Sequence, residues 1–117
     1  GSRNEGLVDF SDWLPTLAEI GSAKVDHKID GTSFASTLFD PEKPAIRSFA
    51  FSESKGGKAW LRTKRYKLYN NGNLFDMAKD PREKNAMKVG KEKSEASKEV
   101  RKLLEKAWSS LGRKIQN

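Results

Sequence analysis

Apolar residues along the chain recur first every three or four positions, then every second position, then every three or four again. That order predicts helix, sheet, helix. Near the start Phe10, Trp13, Leu14, Leu17 and Ala18 share one helical face, with Ser11 or Asp12 as cap, Pro15 in or beside the first turn and Gly21 as the stop. Ser22 to Lys28 is polar loop and Asp30-Gly31 reads as a turn. Ser33 to Leu38 has room for one or two helical turns with Phe34 and Leu38 on the same side. The prolines in Asp40-Pro41-Glu42-Lys43-Pro44 prevent helix throughout the next stretch.

Strict alternation begins at Arg47. Phe49 and Phe51 fall on one face and Ser48, Ala50 and Ser52 on the other, so Arg47 to Glu53 is expected to be a strand with one face packed. Lys55-Gly56-Gly57 makes a loop, Lys58 to Thr63 returns, Lys64-Arg65 turns, and Tyr66 to Tyr69 follows. Asn71-Gly72 suits a hairpin turn whose central residues need positive φ, leading to a last short strand at Asn73 to Asp76. Short connections imply an antiparallel meander of about four strands. Next, Asp80 reads as an N-cap, Pro81 as a first helical residue and Glu83 as the far side of a capping box. Lys88 to Ser94 is a charged linker without periodicity. The final helix should run from about Glu95 to Gly112 with Val100, Leu103, Leu104, Ala107, Trp108 and Leu111 as its apolar stripe and Lys and Arg opposite. The expected fold class is α+β: an antiparallel sheet of about four strands packed against a long C-terminal helix, preceded by an N-terminal amphipathic helix. Residues 1–46 form a helix and loop segment and residues 47–117 an α+β subdomain.

Composition supports a folded chain with a modest core. Apolar residues make up 35% and charged residues 33% of 117 residues, and three Trp with six Phe are too many for a disordered segment. Net charge is +7 and unevenly spread: residues 1–53 hold five Lys or Arg against nine Asp or Glu, residues 54–117 eighteen against seven. Such a basic half attracts polyanions, although most of its lysines are expected to be solvated surface. Without cysteine there is no disulfide, thiolate metal site or thiol nucleophile. No apolar run is long enough to span a membrane, and no charged n-region with an apolar core opens the chain.

Candidate chemistry is sparse. The single histidine, His27, lies near Asp26 and Asp30 in a polar loop, and a triad is defined by geometry rather than by inventory, so His27 is read as surface. Gly56-Gly57-Lys58 fails as a phosphate loop because Ser52 stands where a Gly is needed and Ala59 where a Ser or Thr is needed. Neither Asp26 with Asp30 nor Asp76 with Asp80 supplies the ligands of a calcium cage, so no metal site is expected.

Two motifs carry a family resemblance. Arg62-Thr63, then Tyr66-Lys67-Leu68, then Leu74-Phe75-Asp76-Met77, then Asp80-Pro81 with Glu83 follow one another as in the C-terminal portion of type I sulfatases, the arylsulfatase-like enzymes of the alkaline phosphatase superfamily. Upstream, Leu7 to Leu17 followed by Asp30-Gly31-Thr32-Ser33-Phe34 resembles the family's Asp-hydrophobic-x-Pro-Thr-Leu helix and Asp-Gly-x-Ser segment. The chain departs from the pattern at Ala86-Met87, where the family usually places Asn-Leu, with Asn85 one position early. In that family the nucleophile is a formylglycine made from Cys or Ser in Cys/Ser-x-Pro-x-Arg, near a calcium ion, within a larger N-terminal α/β domain. Ser11 to Pro15 has the wrong spacing and lacks the Arg. The resemblance therefore implies a non-catalytic C-terminal subdomain with no cofactor of its own, whose parent uses calcium and formylglycine to hydrolyse sulfate esters.

It also implies roles. Arg62, Tyr66, Lys67, Asp76 and Asp80 become structural anchors, and Lys55 and Lys58 become candidate anion contacts at the active-site mouth. The partner is the missing catalytic domain, against which the first helix would pack, so the isolated fragment is expected to self-associate or to rearrange at its N-terminal end. The parent is expected to be exported, and no membrane partner is expected. Two alternatives stand beside this. One is a polyanion-binding module, nucleic acid being less favoured than sulfated glycan, in which Trp60, Tyr66 and Tyr69 interleave with Arg62, Lys64, Arg65 and Lys67. The other is the C-terminal part of a related phosphonate or phosphate ester hydrolase.

Overall fold

The computed structural model describes residues 1–115, which fall into two compact units, one ending at Ala50 and the other beginning at Phe51. In the first unit the carboxylate of Asp9 accepts the Ser11 amide, and the Asp9 amide donates back to the carboxylate of Asp12 at 2.8 Å. This reciprocal box opens a 3-10 turn, Phe10–Asp12, that continues into helix α1, Trp13–Ile20, ended by Gly21. The cap is thus Asp9 rather than Ser11 or Asp12, because the Asp12 side chain is turned inward and fully buried. A second short helix, α2, spans Ala35–Phe39.

The buried side of α1 is its polar side. Asp12 and Thr16 have no exposed surface, whereas Phe10 is 91% exposed and Leu17 60%. Thr16 donates its hydroxyl to the Asp12 carbonyl at 2.6 Å and accepts the Phe34 amide at 3.0 Å, while the Asp12 carboxylate accepts the Thr32 amide at 2.7 Å. The returning segment has no ladder of its own, so these side chains satisfy its backbone donors. Phe34 is buried edge-on to Trp13, ring centroids 5.2 Å apart, while Leu38, one helical turn further on, stays exposed.

The second unit is built on four strands, β1 Ala50–Glu53, β2 Ala59–Arg62, β3 Tyr66–Tyr69 and β4 Leu74–Asp76, in the spatial order of the sequence and antiparallel. The expected first strand began at Arg47; it starts three residues later, since the Arg47 side chain is held by Asp12. Trp60 faces Tyr69, Leu61 faces Leu68 and Arg62 faces Lys67, while Lys67 faces Phe75 and Leu68 faces Leu74. The Asn71-Gly72 turn closes differently from the expectation. Tyr69 and Asn73 pair around three residues, Gly72 accepts positive φ of 76°, and Asn71 does not take positive φ.

Helix α3, Glu95–Ser110, is capped by Ser94, whose hydroxyl accepts the Ser97 amide, and it packs on β2 and β3. Ala59, Leu61, Tyr66, Leu68 and Leu74 meet Leu104, Ala107 and Trp108 in the core, with Phe51 edge-on to Trp108 at 5.7 Å. The buried line of α3 is rotated from the expected stripe. Ser97 and Arg101 lie on it, and Leu103 is 48% exposed. Arg101 can be buried because it donates to the Gly72 carbonyl at 2.8 Å, to the Met87 carbonyl at 2.6 Å and to the Glu92 carboxylate. The expected linker before α3 therefore supplies a buried acid.

No helix starts at Asp80. Its carboxylate accepts the Lys84 amide at 3.0 Å and the Asn85 amide at 2.7 Å, which folds residues 80–85 into a tight turn. Glu83 sits at φ 54°, outside helical geometry, so it cannot complete a capping box. Its carboxylate crosses to β3 instead.

Candidate functional site

Strand alternation places Trp60, Arg62, Lys67, Tyr69 and Phe75 on the sheet face opposite α3. Their centre is Lys67. Its Nζ donates to Glu83 at 2.7 Å and lies 4.7 Å from the Trp60 ring centroid and 4.8 Å from that of Tyr69. The Tyr69 hydroxyl donates to the other Glu83 oxygen at 2.6 Å, and Tyr69 meets Phe75 edge-on at 5.8 Å. Burial alone would lower the Lys67 pKa and raise that of Glu83. The hydrogen bonds shared with Glu83 and Tyr69 win, holding Lys67 above and Glu83 below its ordinary value. Both groups stay ionised across the neutral range, which makes this a fixed charge pair under two aromatic rings rather than a proton-transfer couple.

The remaining expected residues lie around this cluster. Lys58 is exposed but places Nζ 4.6 Å from the Tyr69 ring centroid, and Lys55 is exposed in the hairpin loop. Tyr66 lies on the α3 side, so it is separated from Tyr69 and Trp60. Asp76 takes a bidentate bond from Arg65 at 2.9 and 2.7 Å, which holds its carboxyl below the usual range. Asp80 is held low by the two amides it caps. Beside these, a cleft of about 460 Å³ is lined by Arg65, Asp76, Lys79, Lys93 and Ser94 among others. For a stacking platform the geometry is poor: Tyr66 and Tyr69 are both buried, and Arg65 and Lys67 are already paired.

In the first unit the two sequence motifs meet. Asp12 binds the Thr32 amide and, through two nitrogens, the guanidinium of Arg47, which also donates to the Asp30 carbonyl at 3.3 Å. A Cβ on Gly31 would stand 2.0 Å from the Ser11 carbonyl oxygen, so only glycine admits this approach. The Asp-x-x-Pro-Thr and Asp-Gly-x-Ser patterns are thus one interlocked structure. His27 is exposed, with Nδ1 3.1 Å from Asp26. Among the described residues no three His, Cys, Asp or Glu side chains converge as a metal site, and the buried acids Asp12 and Glu92 each serve an arginine. These residues do not fit a calcium ion.

Glu83 was expected as a capping-box residue and Arg47 as the start of a strand, so the pairing of Glu83 with Lys67 and Tyr69, of Arg47 with Asp12 and of Glu92 with Arg101 was not legible in the sequence. The only hint was chemical: an arginine at position 101 inside an apolar stripe demands an acid nearby.

No family model matches the chain, and no curated protein does. Solved structures do. The chain is 27% identical to BT4656, solved in complex with its substrate D-glucosamine-2-N,6-O-disulfate, with a TM-score of 0.66 over 86% of this chain and 24% of that one. It is likewise 27% identical to BT1596, a 2-O GAG sulfatase, with a TM-score of 0.60 over 85% of this chain and 24% of that one. The chain thus spans about a quarter of the length of these two proteins and is similar in sequence and fold to that portion of them.

Proposed function

We propose that the chain is the C-terminal subdomain of a type I sulfatase, a structural and pocket-completing part of a sulfuric ester hydrolase that does not catalyse by itself. One observation carries this: a 2-O GAG sulfatase and a protein whose substrate is a disulfated glucosamine match 85% and 86% of this chain with only 24% of their own. The substrate class that follows is a sulfated glycosaminoglycan saccharide. When present in the parent, formylglycine supplies the nucleophile and calcium the positive field at the sulfate, both in the portion outside this chain. What these residues contribute is a rigid sheet with a cationic, aromatic face, and Lys55 and Lys58 in and beside a hairpin loop as anion contacts.

The deciding assay gives the whole protein and this chain the same substrates with calcium: an aryl sulfate, a sulfated glucosamine saccharide and an aryl phosphonate. Turnover of a sulfate ester by the whole protein and none by the chain is expected. Turnover by the chain alone would sink the non-catalytic role, and a whole protein that cleaves only the phosphonate would replace the sulfatase assignment.

A further inference from the structure

Arg62 lies on an interior strand of the sheet and is only partly exposed. Its Nε is buried, and among the described residues nothing accepts a hydrogen bond from it. Directly across the ladder stands Lys67. Like charges in opposed positions destabilise a sheet. Glu83 neutralises Lys67 at 2.7 Å, whereas among the described residues no carboxylate pairs with Arg62. An arginine escapes such a position by extending into water, but Arg62, at the end of an interior strand, can bring only the outer part of its guanidinium there while its Nε stays buried. Burying a guanidinium nitrogen without an acceptor costs free energy, and a carboxylate that bonds it in bidentate fashion recovers that cost.

We propose that Arg62 is a docking cation, and that its partner is an acidic side chain in the portion of the protein outside this chain. This rests on reading the chain as about a quarter of a larger protein, the share of its structural neighbours that it covers. Charge complementarity selects the partner: Lys58, Arg62 and Lys67 against Glu83 leave the face positive. An arginine rather than a lysine suits the task because its planar fork fixes the orientation of the incoming carboxylate.

The test compares Arg62→Met and Arg62→Lys in the whole protein and in this chain by thermal melting, together with steady-state kinetics of the whole protein. In the whole protein both variants should lower the melting temperature, Arg62→Met by about 2 °C or more. In this chain Arg62→Met should leave it unchanged or raise it, since an unsatisfied buried donor has been removed. An equal drop in both would mean that Arg62 serves only the sheet, and no shift in either would mean a solvated cation; each overturns the proposal. So does an unchanged melting temperature with a raised KM for a sulfated saccharide, which would assign Arg62 to the substrate. Opposed shifts in a whole protein without sulfate-ester activity would keep the docking role and remove the sulfatase reading.

Discussion

Asp12 does the work of several residues. Its two oxygens accept from Arg47, from the Thr32 amide and from the Asp9 amide, all from a position without solvent exposure. Asp12→Ala would take the carboxylate from a part-buried guanidinium and the acceptor from two amides, so the first unit should lose about 3–5 kcal/mol. A urea unfolding curve reads this directly, and an unchanged midpoint would contradict the role. Burial pushes the Asp12 carboxyl up, but the Arg47 bonds and the two amides outweigh it and hold the pKa below its ordinary value. A depressed carboxyl stabilises the fold above its unfolded pKa, near 4, and loses that contribution as pH falls through the lower folded value. In Asp12→Asn, which has no charge to lose, this part of the acid dependence should vanish.

Elements differ in how openly the chain announces them. Strand β3, Tyr66–Tyr69, and the start of α3 at Glu95 fall where the pattern puts them, because strand alternation and helical periodicity are local signals. Lys67 and Tyr69 share a face by the same alternation, but that Trp60 joins them on the side away from α3 depends on the register between strands, which periodicity within one strand does not display. Glu83 was not legible either, since Asp-Pro-x-Glu reads alike for a helix start and for the turn that Asp80 closes on Lys84 and Asn85. Periodicity also reveals that α1 has an apolar stripe without revealing what covers it, so the burial of Asp12 and Thr16 was hidden. Arg101 shows the same limit, its acid lying in an aperiodic stretch before the helix. Arg101→Leu should cost about 3–5 kcal/mol, because Glu92 and two carbonyls lose their donor despite the added apolar surface. A melting temperature lower by more than about 10 °C is the expected readout, and a gain in stability would mean the pair is dispensable.

At the scale of the molecule, charge and exposed apolar surface are unevenly placed. Phe10, Trp13, Leu14, Leu17 and Ile20 are all exposed along the 3-10 turn and α1, whereas the second unit buries Leu61, Leu68, Leu74, Leu104 and Trp108 almost completely. A patch of this kind favours contact between copies when nothing else covers it. Sedimentation of the chain over a hundredfold range of concentration should show a rising mean mass, and Leu17→Glu with Phe10→Ser should restore a monomer. A wild-type chain that stays monomeric throughout would show that the patch is tolerated in water. The interlock around Asp12 has one more consequence. Residues 24–29 make no backbone hydrogen bonds among the described residues, and Lys24 and Lys28 are exposed. The two sides of that loop are joined by Asp12 to Thr32, Asp12 to Arg47 and Thr16 to Phe34, none of which depends on the length of chain between them. Those bonds join the two sides whatever the length of residues 24–29: inserting residues there should cost only slowly growing closure entropy, and limited proteolysis after Lys24 or Lys28 should give two pieces that co-elute on size-exclusion chromatography.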